Sequence, residues 1–388
     1  MTFDNFLTHF DLSYNPSFEE YKRDFKIYLS VGLTINLDTS RVHNKNKNLW
    51  TEEYKNNFIK ASYEAFIVHK LDFLKSFYDT QIKPIDDVLE IQNCSNDEIL
   101  SWKVNNKLSK YPRLWFFREI YSTNRSLPDK GRKRPYPTFF EILKVSVEKP
   151  WCSNKLKYGD TRNHRFILNR DYKGIFTLLR GTTGKASILN PNVVGNLLKQ
   201  FNTKKLFTPV LSWGSYAIAC DILGIDTYHG VDVIPNVVNT LSEKFPKYNF
   251  TCCPSESLDT TDLNDKFDTV LLSPPYFNLE LYQSENQSHE SYSNYQDWLT
   301  NYWEVTVKKC YDVLEFGGIF SFIITPIITT DGEQRHIGDD LQNIAQKYFS
   351  KLSTKYIKMS AQKSIVKSKQ RNVNIEEVLI FEKSEKKT

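Results

Sequence analysis

Residues 268–282 read Asp268-Thr-Val-Leu-Leu-Ser273-Pro274-Pro275-Tyr276-Phe277-Asn278-Leu-Glu280-Leu-Tyr282. The 269–272 run is β-branched and aliphatic, the pattern of a short strand buried on both faces, and it stops abruptly at a serine and two prolines. Each proline removes a backbone N–H and fixes φ, and the first biases Ser273 toward extended geometry. The outcome is a rigid rim beyond the strand's carboxyl end, where open α/β sheets place their ligands. A serine and prolyl carbonyls supply acceptors for an amino group held in plane, and the Tyr276 ring directly after them suits stacking on a flat, nucleobase-like partner. Taken alone, such a tetrapeptide also serves as a plain turn after a buried strand, so the rest of the chain decides.

Upstream, Leu206-Phe-Thr208-Pro209-Val-Leu-Ser212-Trp213-Gly214-Ser215-Tyr216 reads as a strand running into a tight turn and a helix over 217–223. Residues 226–236 then give a second short strand ending at Asp232, about twenty residues after that turn. A carboxylate so placed is positioned to accept both ribose hydroxyls of an adenosine cofactor. Residues 249–253 form a third strand, with Glu256 or Asp259 beyond it in reach of an adenine amino group. Asn190 and Pro191 head a helix whose apolar face is Val193, Val194, Leu197 and Leu198. After the rim, 295–314 reads as one amphipathic helix closed by Phe316-Gly317-Gly318, 319–324 as a buried strand, and 356–359 with 378–381 as a final antiparallel hairpin. A glycine turn, an acidic strand end and a proline rim occur in the order a doubly wound α/β fold requires.

Ser273-Pro274-Pro275-Tyr276 after an aliphatic strand resembles the catalytic motif of S-adenosylmethionine-dependent amino-methyltransferases, which methylate N4 of cytosine or N6 of adenine in DNA. The longer block to Tyr282, followed by Gln287-Ser288, Tyr292, Tyr295 and Trp298-Leu299, resembles the phage- and virus-borne branch of that family. The resemblance covers roughly residues 180–382. It implies a Rossmann-like class I methyltransferase fold with a mostly parallel sheet and an antiparallel C-terminal hairpin. It also implies S-adenosylmethionine as cofactor, DNA as partner, and a flipped base stacked on Tyr276 with its amine donating to Ser273 and the Pro274 carbonyl; Pro275 completes the motif. Pro191 falls in the segment that lines the methionine end of the cofactor pocket. Thr208, Ser212, Trp213 and Gly214 fall on the family's Asp-Pro-x-x-Gly-Trp-Gly cofactor loop, with Thr208 in place of the Asp and Ser212 in place of the first Gly. Asp232, Glu256 and Ser273 complete the implied cofactor contacts. Serine ahead of Pro-Pro-Tyr resembles the N4-cytosine members, although Leu272 stands where many of those carry threonine. Two other readings remain open from sequence: an RNA or protein-amide methyltransferase on the same fold, and a non-catalytic nucleic-acid-binding protein derived from it.

At 388 residues the chain exceeds the usual size of one core, and 40% hydrophobic with 25% charged residues is the composition of a globular protein. No apolar run is long enough to span a membrane and the N-terminus lacks a signal-peptide pattern, so an intracellular protein is expected. The six cysteines, Cys94, Cys152, Cys220, Cys252, Cys253 and Cys310, show no paired spacing apart from the adjacent Cys252-Cys253, which points to buried thiols and to neither a metal site nor a disulfide framework. A net charge of +5 permits a polyanionic partner, and 22 Tyr with 26 Phe supply many planar surfaces for packing or stacking. Residues 1–125 read as a mainly helical accessory region, with apolar helical spacing strongest over 51–78 and His69 packed in its core. Residues 126–180 read as a basic linker. Arg132, Lys133, Arg134 and Tyr136 are its candidate DNA contacts, with Lys155, Lys157, Arg162 and Arg165 less marked. Residues 181–388 form the catalytic region, with Lys363, Lys367, Lys369 and Arg371 as a second candidate DNA edge.

Overall fold

The computed structural model describes residues 3–25, 52–81, 99–101, 107–123, 138–151, 166–172, 174–175, 185–261, 263, 267–282, 287–330, 332–358 and 375–384. The chain divides into two compact units, the first made of residues 1–86, 117–186 and 362–370, and the second of residues 87–116, 187–361 and 371–388. Every candidate DNA contact named above, and Cys94 and Cys152, lies outside the described residues.

The first unit is helical where described. Ser17 and Glu20 form a reciprocal capping box at the helix Phe18–Arg23, satisfying two N–H groups that the helix itself leaves unpaired. The helical run after residue 51 has a π-helical turn, Glu64–Val68, between Glu52–Tyr63 and Lys70–Gln81. His69 sits at that break, part-exposed beside Asp72 at 3.8 Å, so the expected core histidine is instead a surface residue. The extra residue of the π turn rotates the apolar stripe and carries His69 off the buried face. Phe6, Phe58, Phe66, Phe73, Phe117 and Phe139 fill the core, and Tyr21 shares a 2.9 Å hydrogen bond with Ser62 inside it.

The second unit is built on one eight-stranded sheet in the order β1-β9-β10-β6-β5-β2-β3-β4. Its strands are β1 (Ile99–Ser101), β2 (Lys205–Thr208), β3 (Thr227–Asp232), β4 (Asn249–Cys252), β5 (Phe267–Leu272), β6 (Leu314–Ile324), β9 (Ser350–Lys358) and β10 (Ile375–Glu382). A separate hairpin, β7 (Ile328–Thr330) with β8 (Glu333–Arg335), follows β6. Strands β2 to β6 pair in parallel, and β10 runs antiparallel to both β6 and β9. This is the doubly wound, mostly parallel sheet with an antiparallel closing pair that the sequence leads one to expect. The chain steps outward from β2 to β4, then returns to place β5 on the other side of β2. The switch point of the sheet therefore lies between the carboxyl ends of β2 and β5.

Three local readings are corrected. The helix read over 295–314 is continuous but ends at Val313 and carries a π-helical stretch, Leu299–Glu304, between Tyr295–Trp298 and Val305–Val313. Phe316-Gly317-Gly318 is not a helix stop. It is a bulge inside β6, where the partner of β5 jumps from Leu314 to Ile319 and Gly317 takes φ +78°. The cysteines divide: Cys220 and Cys310 are buried, Cys253 is partly exposed and Cys252 is exposed. Strand β1, parallel to β9 at the sheet edge, has no counterpart in the sequence reading.

The second unit's core sets Phe207, Val231, Val270 and Leu272 of the sheet with Trp298, Trp303 and Val307 of the segments after the rim. Phe320 stacks on Phe349 at 4.6 Å, and Phe322 on Phe381 at 5.7 Å. Close packing also constrains Gly230 in β3: a Cβ there would lie 2.5 Å from Leu211 Cδ2 and 2.8 Å from Leu211 Cγ. Gly230→Ala is expected to lower unfolding free energy by about 1–3 kcal/mol, the range for overpacking a filled core. Urea denaturation checks this, and Leu211→Ala in the same background recovers part of the loss.

Candidate functional site

Both loops that emerge at the switch point are held in unusual backbone conformations. Ser212 has φ +56° and Gly214 φ +82°, so the turn after β2 enters the left-handed region twice before the helix Ser215–Leu223 starts. Glycine suits the second position on two counts, since a Cβ on Gly214 would also meet Leu241 Cδ2 at 2.8 Å. The turn is buttressed: Trp213 is buried with its ring edge-on to Tyr282 at 5.4 Å and against Phe116 at 6.0 Å. Ser215 Oγ donates to the Leu189 carbonyl at 2.6 Å. That contact ties the turn to the helix Pro191–Gln200, which starts as the sequence indicates, with Asn190 capping the Asn192 N–H at 3.0 Å and Pro191 in the first turn. Thr208 lies deeper, fully buried at the end of β2, and its hydroxyl shares a 2.9 Å hydrogen bond with Tyr228.

Asp232 ends β3 beside this turn. Its carboxylate accepts the Ile234 N–H at 3.1 Å. Burial pushes its pKa up to about 7, against the pull of the Ile234, Val233 and Ser212 backbone N–H groups. Next along the same edge, beyond β4, Glu256 Oε1 accepts a hydrogen bond from the Tyr292 hydroxyl at 2.8 Å, while Oε2 is buried without a partner. Asp259, the other candidate there, is turned to Thr261 and accepts both its N–H and hydroxyl. Ser255 Oγ, donating to the Pro209 carbonyl at 2.8 Å, fastens this segment to the end of β2.

The proline rim rises from β5 on the other side of the switch point. Asp268 fixes the strand's start by accepting the Lys204 and Lys205 N–H groups at 2.8 and 2.9 Å. Ser273 is half-buried, Pro274 buried, and Pro275 and Tyr276 half-buried. The Tyr276 hydroxyl accepts the Thr325 N–H at 3.1 Å, which pins the ring to the chain just past β6. Phe277 follows in the left-handed region at φ +54°, its ring buried against Tyr295 and Trp298. A bulky residue holds that conformation only when its surroundings over-determine it, so the rim is a fixed structure. The Arg335 guanidinium lies 4.7 Å over the Tyr295 ring and closes the back of this cluster.

The described candidates thus come together at one edge: Pro191, Ser212, Trp213, Gly214, Asp232 and Glu256 on one side of the switch point, Ser273, Pro274, Pro275 and Tyr276 on the other. No protein-family model matches the chain, and no characterised protein matches it in sequence. The chain is similar in structure to TrmN from Thermus thermophilus at 12% identity and TM-score 0.36, covering 50% of this chain and 49% of that one. It therefore spans about half the length of TrmN. It is also similar to the N-methyltransferase NodS from Bradyrhizobium japonicum in complex with S-adenosyl-l-homocysteine, at 9% identity and TM-score 0.33, covering 49% of this chain and 86% of that one. An rRNA methylase from Streptococcus thermophilus is similar at 13% identity and TM-score 0.32, over 52% of this chain and 100% of that one. The fold assignment stands on the strand order, and likenesses this distant add nothing to it.

Sequence reasoning missed four groups at this edge. Tyr292 was noted only as part of a motif, yet it holds Glu256. Tyr216, the second residue of the helix after Gly214, has a fully buried hydroxyl without a well-formed hydrogen bond. Glu280 and Glu376 bring two carboxyls near Tyr276, whose ionisation is pushed up by burial first and by the Glu376 charge next. Glu376 is invisible to motif reading because it belongs to the last strand, far from the rim in sequence. Among the described residues no cluster of three or more metal-ligating side chains occurs, and no helix is long and apolar enough to cross a membrane.

Proposed function

We propose that the protein transfers a methyl group from S-adenosylmethionine to the exocyclic amino group of a base flipped out of DNA, N4 of cytosine in preference to N6 of adenine. The observation that carries this reading is the Ser273-Pro274-Pro275-Tyr276 rim, rigid at the carboxyl end of β5 and facing the Gly214 turn across the switch point. The residues present suit an adenosine cofactor. Gly214 holds the turn in its left-handed conformation, Asp232 offers a carboxylate to ribose hydroxyls, and the unpartnered Glu256 Oε2 suits a donor such as an adenine amine. Trp213, Ser212 and Pro191 complete the walls of that pocket, and Thr208 supports them from beneath.

When bound, the cofactor supplies an electrophilic methyl group on a sulfonium. The protein's part is positioning. Tyr276 stacks on the base, and Ser273 Oγ with the Pro274 carbonyl accepts the two amine hydrogens. Those hydrogen bonds direct the nitrogen lone pair toward the methyl carbon. Residues 181–388 carry this chemistry, and the preceding regions, 1–125 and 126–180, carry target recognition.

Tritiated S-adenosylmethionine with DNA and RNA offered together tests the acceptor: label is expected in DNA, and label confined to RNA would overturn the reading. Phosphate contact is a separate expectation. Neutralising Arg132, Lys133 and Arg134 together should weaken binding to every DNA sequence alike and flatten the slope of log affinity against log salt by about two to three units. An unchanged slope would make the loop a mere linker. The cations Lys367, Lys369 and Arg371 belong to the same expectation and are tested in the same way, whereas Tyr136→Ala should weaken binding and leave the slope unchanged.

A further inference from the structure

We propose that Glu376, paired with Glu280, is the group that takes the proton released when the amine is methylated. The inference rests on the function proposed above. It starts from what the rim lacks: Ser273 is a neutral hydroxyl, and the prolyl carbonyls hold no proton at neutral pH. Methyl transfer nevertheless requires one. The amine nitrogen forms a bond to the methyl carbon while the carbon–sulfur bond breaks and its electron pair stays on sulfur. The nitrogen, now carrying one hydrogen too many, sheds a proton to the Glu376 carboxylate, leaving a neutral methylated amine and a neutral thioether.

Geometry brings Glu376 to that place. β10 pairs antiparallel with β6 as far as Glu377 and Ile324; Glu376 is the next residue on one chain and Thr325, whose N–H holds the Tyr276 hydroxyl, the next on the other. On its other side Glu376 pairs with Ile357 of β9. That sheet face, two residues along, carries Lys355, which reaches Gln200 on the helix Pro191–Gln200. Tyr216 comes from the helix beside it, and its buried hydroxyl lies against the Ser273 backbone N–H and under the influence of Glu376. Glu280 approaches from the loop after the rim, where it accepts hydrogen bonds from Tyr282 and, at 3.3 Å, from Ser187. The titratable groups whose charge Glu376 feels or influences are Glu280, Tyr276 and Tyr216, and Ile357 is its strand partner; Lys355 donates to Gln200. Burial, and secondly the Glu280 charge, raise the Glu376 pKa to about 7, which suits a carboxylate that must accept a proton and return it to water near neutrality.

The test is the pH profile of single-turnover methyl transfer to DNA at saturating S-adenosylmethionine, which removes the influence of Asp232 on cofactor affinity. Wild type is expected to rise with pH through a limb near neutrality. Glu376→Gln should lose that limb and about 10²-fold or more in rate, the scale of a lost acid–base group, with cofactor affinity unchanged. Glu280→Gln should move the limb to lower pH, because removing a neighbouring negative charge eases ionisation of Glu376, and should lower the plateau far less than Glu376→Gln does, since the base is weakened and not removed. Glu376→Asp should restore the limb. If Glu376→Gln does not fold, as judged by its melting curve, the limb shift in Glu280→Gln decides. An unmoved limb in both variants would overturn the proposal while leaving the methyl-transfer reading intact. Absence of transfer by wild type at every pH would overturn both.

Discussion

Asp232→Ala is expected to raise the dissociation constant of S-adenosylmethionine about 10- to 150-fold, the equivalent of roughly 1.5–3 kcal/mol for hydrogen bonds lost from a charged acceptor. The carboxylate stands at the end of β3 beside the left-handed Ser212–Gly214 turn, with the Ile234, Val233 and Ser212 backbone N–H groups against it. Affinity should also depend on pH. Ribose hydroxyls donate to the ionised form, so binding competes with the proton that burial keeps on Asp232 up to about pH 7. Affinity is therefore expected to fall as pH drops below 7. Ligand-free stability runs the other way. The folded-state pKa lies above the unfolded value, so this group's stabilising contribution is full below about pH 3.8 and is lost as pH rises through about 7. Asp232→Asn, which stays neutral, should melt higher relative to wild type at pH 8 than at pH 4 while binding the cofactor poorly at both. Calorimetric titration across pH 5.5–8.5 checks the affinities, and a flat profile with an unchanged constant in Asp232→Ala would remove the residue from the pocket.

Ser273→Ala and Tyr276→Ala are expected to do the reverse, cutting turnover while leaving cofactor affinity in place. Removal of one preorganised hydrogen-bonding group typically costs about 10²–10³ in rate. Loss of a stacked base adds about 1–3 kcal/mol to the cost of the tyrosine change. Tyr276→Phe separates ring from hydroxyl: it keeps the stacking face and loses the bond from the Thr325 N–H, so it should retain most of the activity. Single-turnover rates and cofactor titration on the same samples make the comparison. Full activity in both alanine variants would end the proposed role of the rim.

The rim, the Gly214 turn and Asp232 were legible because each is written in residues with few other reasons to stand together. Two prolines after an aliphatic run, a glycine between strand and helix, and a carboxylate at a strand end all constrain the backbone locally. What escaped was non-local. Gly317 and Gly318 read as a helix stop because a local pattern cannot distinguish a turn from a bulge, and only pairing with β5 shows that β6 begins at Leu314. The π turn before His69 and the one after Trp298 each add a residue to a helix whose apolar spacing still looks regular. Glu376 looks like an ordinary alternating strand carboxylate until β10 is placed beside β6, where its charge acts on Tyr276 and it feels that of Glu280. Strand β1 is three residues long and takes its place from β9, which carries the longer register.

The central claim is transfer of a methyl group to a base amine in DNA, and nucleoside analysis tests it most directly. DNA is incubated with the protein and deuterium-labelled S-adenosylmethionine, digested to nucleosides and resolved by mass spectrometry. The label is expected in N4-methyldeoxycytidine, forming far more slowly when Tyr276→Ala replaces the wild-type protein. Label found only in N6-methyldeoxyadenosine would move the target to adenine and leave the site intact. DNA that carries no label, from a protein that binds the cofactor, would contradict the account.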